Sequence, residues 1–112
     1  MNATDHLPLS PVTYQVLLAL ADEGRHGYGI LKEVERLTGG AIELETGTLY
    51  AAIRRLRSEG MIEAAPGVEG EDARRKNYRL TDLGRGVLRA ETERLSALVR
   101  AAAGKHVIPA HG

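Results

Sequence analysis

The chain has no cysteine, tryptophan or phenylalanine, and its four aromatic residues are all tyrosine. Without cysteine there is neither a disulfide framework nor a thiolate zinc site. With aromatics at 4%, the core has to be built from Leu, Val, Ile and Ala, which pack between helices more readily than they cover a large sheet. An excess of one charge is also missing, since 15 Lys and Arg balance 15 Asp and Glu. The overall basicity usual in nucleic-acid-binding domains is therefore absent. No apolar run approaches the roughly 20 residues of a membrane span. Nor does the N-terminus show a basic start followed by an apolar stretch, so a soluble cytoplasmic protein is expected. His6, His26, His106 and His111 are scattered without metal-ligand spacing. Gly27-Tyr28-Gly29 is too short for a phosphate-binding loop and follows no strand. No catalytic groups converge, so neither an enzyme nor a bound metal or cofactor is expected.

At 112 residues and 43% apolar content, the chain suits one small domain that buries about two thirds of its unfolded surface. Its charges are unevenly placed. Arg54, Arg55 and Arg57 form one basic cluster, and Arg74, Arg75 and Lys76 a second. Acids gather at Glu33, Glu35, Glu43 and Glu45, and again at Glu91 and Glu93.

Residues 1–9 read as a flexible arm. Ser10-Pro11 then opens a helix, with Ser at the N-cap and Pro at the first helical position. Val12, Val16, Leu17 and Leu20 point inward, and the helix runs to about Ala21. A second helix starts around His26-Gly27-Tyr28-Gly29, carries Ile30, Leu31, Val34 and Leu37 at helical spacing, and ends at Gly39-Gly40. Ala41 to Leu44 alternates like a very short strand. Met61 to Ala65 and Lys76 to Leu80 read as the arms of a hairpin, with Pro66 to Gly70 as turn chemistry and a charged tip. Thr81 caps a last helix from about Asp82 to Ala103. Gly104 is its expected stop, and residues 105–112 are expected to be a disordered tail.

The segment from Glu45 to Gly60 is the most informative. At about 100 degrees per residue, Leu49, Ala52, Ile53 and Leu56 fall on one side. Gly47, Ala51, Arg54, Arg55 and Ser58 fall opposite. Such a helix docks on a core by one face and offers guanidinium, hydroxyl and small groups on the other, which suits a DNA major groove. An ordinary solvated face is the competing reading. The order helix, helix, short strand, helix, hairpin predicts a mainly α fold with a small β-hairpin. That is a winged helix-turn-helix over residues 10–80, followed by a C-terminal dimerisation helix over 81–104.

Four groups of residues in this order and spacing resemble the PadR family of transcriptional regulators. They are His26-Gly27-Tyr28-Gly29-Ile30, Gly47-Thr48-Leu49-Tyr50 leading into Ile53-Arg54-Arg55-Leu56, Glu59-Gly60-Met61-Ile62, and Arg75 to Gly84. The likeness covers roughly Pro11 to Leu95. It implies a dimeric cytoplasmic repressor on a palindromic operator, often released by a small molecule. It also implies that Tyr28, Gly47, Tyr50 and the basic residues of the third helix and wing lie near DNA. Two departures stand out: Asn77 where the family often has an aromatic residue, and a wing tip made acidic by Glu69, Glu71 and Asp72.

The candidate DNA-binding residues are thus Tyr28, Thr46, Gly47, Thr48, Tyr50, Arg54, Arg55, Arg74, Arg75 and Lys76. Arg54 and Arg55 suit bidentate contact to guanine, worth about 1–3 kcal/mol of discrimination per pair, or else phosphate contact. Thr46 and Thr48 stand where a hydroxyl either caps the helix or meets a phosphate. Gly47 permits a close phosphate approach or simply a turn. Tyr50 offers a phenol to phosphate or a ring to the second helix. Arg74, Arg75 and Lys76 suit phosphate by displacing counterions, and Tyr78 belongs to the core. On the last helix, Val87, Leu88, Leu95, Leu98, Val99 and Ala102 present more apolar surface than a small domain covers. This predicts pairing with a second copy, with packing on the first helix as the other reading. A seam of this kind also admits a small aromatic or apolar effector. The rival function is a dimeric winged-helix protein-interaction module without DNA binding.

Overall fold

The computed structural model describes residues 2–65 and 76–109. A short 3-10 helix, Ala3–His6, precedes α1 (Pro11–Ala19), β1 (Arg25–His26), α2 (Gly27–Leu37) and α3 (Thr46–Ser58). The strands β2 (Ile62–Ala65) and β3 (Asn77–Leu80) then lead into α4 (Asp82–Gly104). The three strands form one antiparallel sheet in the order β1-β3-β2. In its hairpin Ile62 faces Leu80 and Ala64 faces Tyr78. This is a winged helix extended by one long helix, as the sequence led us to expect.

Local chemistry starts and stops the helices. Ser10 Oγ accepts from the Thr13 N–H, His26 Nδ1 from the Gly29 N–H and Thr81 Oγ1 from the Gly84 N–H, so α1, α2 and α4 each begin on a side-chain cap. At the end of α3, Gly60 takes φ +78, a left-handed conformation that costs glycine nothing. That turn lets the Met61 N–H reach Leu56 O at 2.9 Å and the Gly60 N–H reach Arg57 O at 3.1 Å, closing the helix with buried Met61 against buried Leu56. The same device ends α4, but with His106 in the left-handed position at φ 63 and the Val107 N–H on Ala102 O. The stop thus lies two residues past Gly104, and residues 105–107 continue the hydrogen bonding where a disordered tail was expected.

The core joins Val16, Leu17 and Leu20 of α1, Ile30 and Val34 of α2, and Leu49, Ile53 and Leu56 of α3. Met61, Ile62, Tyr78, Val87 and Leu88 complete it. Burial of these side chains, about 1.5–3 kcal/mol for each large aliphatic one, is what holds the helices and the sheet together.

Three expectations change. Ala41 to Leu44 forms no strand, because Ala41, Ile42 and Glu43 are exposed and only Leu44 is buried. The third strand is instead Arg25–His26, paired with Tyr78 and Asn77. α1 stops at Ala19, where Arg25 Nε donates to the Ala19 carbonyl at 2.8 Å and closes the helix end with a cation. The expected arm is docked: Ala3, Leu7 and Leu9 pack on the core, and the Leu9 N–H donates to Glu91 Oε2 at 2.8 Å. Glu91 itself is buried in α4 and accepts from Nε and a terminal nitrogen of Arg94. These bonds, Arg94's above all, hold its carboxyl below the usual carboxylate range against the opposing effect of burial.

Candidate nucleic-acid interface

α3 sets the frame of the site. Leu49, Ala52, Ile53 and Leu56 are buried, as their spacing predicts, while Thr46, Gly47, Thr48, Ala51, Arg54 and Ser58 are exposed. Glu45 occupies the N-cap, and no side chain caps this helix. The expected capping role for Thr46 or Thr48 is therefore not taken up: both already lie inside the helix, one position and three positions past the cap. The first-turn N–H groups lack intrahelical acceptors and open to solvent among small residues. A methyl group added at Gly47 would touch nothing within 4 Å. Packing within the protomer thus gives no reason for a glycine that costs a helix about 1 kcal/mol relative to alanine.

The three arginines of α3 part company. Arg54 is exposed and has no hydrogen-bond or ion-pair partner among the described residues. Arg55 is exposed beside it, but one of its terminal nitrogens also donates to the hydroxyl of buried Thr13 in α1. Arg57 sets its guanidinium 5.8 Å from the centroid of the Tyr78 ring in the wing, a cation–π contact that ties α3 to β3.

Tyr50 meets the start of α2 at Gly27, next to Tyr28 in sequence. A Cβ on Gly27 would lie 2.5 Å from Tyr50 Oη and 2.9 Å from Cζ, so the absence of a side chain at Gly27 is what seats the phenol of Tyr50 there. Tyr50 keeps 40% of its surface exposed, which combines packing on α2 with an accessible face. Tyr28 is 62% exposed. His26 stacks on it with centroids 6.4 Å apart, and Lys32 Nζ lies 5.3 Å from its ring centre. The carboxylate of Glu35, at 3.6 Å, and then Tyr28 raise the pKa of Lys32, so its cation is retained. Sequence reasoning missed Lys32. The signal available was its spacing of four residues from Tyr28, which puts both on one helix face.

In the wing, Lys76 is exposed, and Arg79 pairs with Glu63 directly across the hairpin at 2.8 Å. Arg74 and Arg75, like the acids Glu69, Glu71 and Asp72, lie outside the described residues.

The apolar stripe of α4 divides into two halves. Val87 and Leu88 are buried in the protomer's own core and so cannot form a seam with a second copy. The first half of α4 spends them on packing against the domain. Beyond it, Leu98 and Val99 are 55% and 52% exposed, and Leu95 and Ala102 are half-buried. Val107 and Ile108 add exposed apolar surface past the helix end. No described helix is long and apolar enough to cross a membrane.

Comparison with known proteins gives a family and a fold. The model for the transcriptional regulator PadR-like family matches residues 16–90. A Lysinibacillus sphaericus protein, known only as protein X, is 34% identical over 73 residues, which span 65% of this chain and 67% of that one. Among solved structures, the chain is similar to a transcriptional regulator from Clostridium thermocellum. That match has a TM-score of 0.71 and 27% identity, covering 90% of this chain and all of the other. It is also similar to Bacillus subtilis PadR in complex with operator DNA, with a TM-score of 0.62 and 25% identity over 72% of this chain. The chain spans about half, 47%, of the length of that protein.

Proposed function

Because this chain belongs to the PadR-like family of transcriptional regulators, we propose that it binds a palindromic operator as a homodimer and represses the gene behind it. The observation that carries the reading is the exposed face of α3, with an uncapped N-terminus, a glycine that packing does not require, and Arg54 without a partner among the described residues. A helix N-terminus open in this way favours phosphate oxygens, and Arg54 on the groove side suits a guanine edge. Tyr28, Lys32 and Tyr50 flank that end and suit the adjoining backbone. The B. subtilis neighbour is bound to operator DNA, which supports DNA binding by this fold.

Dimerisation rests on the second half of α4. Leu98 and Val99, with Leu95 and Ala102 beside them, offer an apolar strip suited to its own copy. A two-fold axis through that strip would set two α3 helices about 34 Å apart, one duplex turn.

A second reading, a dimeric interaction module, draws on the zero net charge and on the engagement of Arg55 and Arg57 within the chain. A mobility-shift assay with DNA fragments selected by the purified protein separates the two. With six to ten phosphate contacts, affinity falls about 10³–10⁵-fold between 50 and 200 mM salt. A flat salt response, or no selected sequence, supports the module instead.

A further inference from the structure

A cavity of about 210 Å³ lies where the docked arm, α1 and α3 meet. Its walls bring together groups that are far apart in sequence: His6 of the arm, Ser10 at the N-cap of α1 and Thr13 within it, Arg55 of α3 and Glu59 at its C-cap. The lining is amphoteric. Arg55 supplies a fixed cation whose guanidinium is held at one edge by Thr13, while its other N–H groups have no acceptor among the described residues. Glu59 supplies a carboxylate that is 41% exposed and 4.0 Å from His6 Nδ1, beyond hydrogen-bond distance. His6 Nε2 is buried and has no hydrogen-bond partner among the described residues, an arrangement a protein rarely leaves unused. Ser10 and Thr13 are already committed to each other, Ser10 Oγ donating to Thr13 Oγ1 at 2.8 Å and accepting from the Thr13 N–H. They therefore act as a rigid wall.

A simple anion would meet Arg55 but also face the Glu59 carboxylate, and a simple cation would meet the reverse. A molecule with both charges a few atoms apart satisfies each wall. We infer that this cavity binds a small zwitterion of the α-amino acid class, with its carboxylate on Arg55 and its ammonium on Glu59. The volume favours a short side chain, since drug-sized ligands need upwards of roughly 300 Å³. The site differs in place and chemistry from an apolar seam between α4 helices.

Arg55 and Glu59 stand on, and at the C-cap of, the same helix as Arg54. A ligand bridging them fills the space between the end of α3, α1 and the arm, and on the DNA reading above it is an effector. The occupancy of the cavity does not depend on that reading and is measured without DNA. Calorimetric titration of the DNA-free protein with L-alanine, acetate and ethylammonium, each to millimolar concentration, tests it. L-Alanine is expected to bind with a one-to-one isotherm, at least tenfold more tightly than either half-charge analogue. Glu59→Gln, a change at an exposed side chain, is expected to weaken L-alanine at least tenfold, whereas Arg100→Ala, outside the cavity, leaves it unchanged. No heat with L-alanine, acetate binding as tightly as L-alanine, or equal affinity in Glu59→Gln each overturns the inference. Mobility shifts then keep the two proposals apart: a protein that shifts DNA but ignores L-alanine refutes only the cavity, and the converse refutes only the DNA reading.

Discussion

Glu91→Gln tests how the arm is held. The carboxylate is 1% exposed and accepts the Leu9 N–H at 2.8 Å together with two N–H groups of Arg94. An amide in its place keeps one acceptor oxygen and turns the other position into a donor, facing either Leu9 or Arg94. Arg94 is 40% exposed and re-solvates readily, but the Leu9 N–H is backbone and cannot leave without undocking the arm. A hydrogen bond to a charged acceptor is worth about 1.5–3 kcal/mol, so the variant should lose roughly 2 kcal/mol. In a chain of this size that lowers Tm by on the order of 5–10 °C. The pH dependence carries the sharper information. The folded-state pKa of Glu91 is depressed, mainly by Arg94. Its contribution is therefore fully present above the unfolded-state value of about 4.3 and is lost as pH falls through the lower folded-state value. Urea titrations of both proteins at fixed concentration should show the full difference at pH 7, shrinking as pH drops below about 4. An equal difference at pH 7 and pH 3 would refute the charge-based account, and no difference at pH 7 would refute the docking itself.

Leu98→Asp places a charge in the exposed strip of α4 while leaving the protomer core untouched. It should raise the dimer dissociation constant about tenfold or more, read by sedimentation velocity, and an unchanged dimer would locate the seam elsewhere. Gly27→Ala pushes a methyl group into the Tyr50 phenol and should cost about 1–3 kcal/mol. In a Tyr50→Ala background that cost should largely vanish, and an undiminished penalty in a double-mutant cycle argues against the contact. Thr81→Ala removes the α4 cap and should lower stability by about 1 kcal/mol without altering association. A change in dimer mass would show that this end of α4 does more than begin a helix.

How legible each feature was depended on how far away its cause lies. The buried face of α3 was plain because four apolar residues repeat at helical spacing and need no partner to reveal them. Ser10, Pro11 and Thr81 announce helix starts through chemistry confined to a few positions. β1 was hidden, because Arg25 and His26 show no alternation and are a strand only by pairing with Asn77 and Tyr78 fifty residues on. Arg54 and Arg55 look equivalent in the sequence. What separates them is Thr13, distant along the chain, which engages one and not the other. The stripe on α4 gave a similar ambiguity: Val87 and Leu98 are both apolar at helical spacing, and only the position of α1 and the arm decides which of them is covered. Docking of the arm was likewise unreadable, since it depends on a carboxylate 82 residues from the amide it accepts.

The proposed reading of DNA by α3 turns on Arg54, whose guanidinium has no partner among the described residues. The most direct measurement is the salt dependence of binding to a selected DNA fragment for the native protein and for Arg54→Ala. A base contact predicts a loss of about 1–3 kcal/mol, confined to the preferred sequence, and a phosphate contact predicts uniform weakening with the salt slope reduced by about one. Either result, with dimer mass and helix content preserved, places Arg54 against the duplex. Native affinity and native slope in Arg54→Ala would show that Arg54 does not meet the duplex.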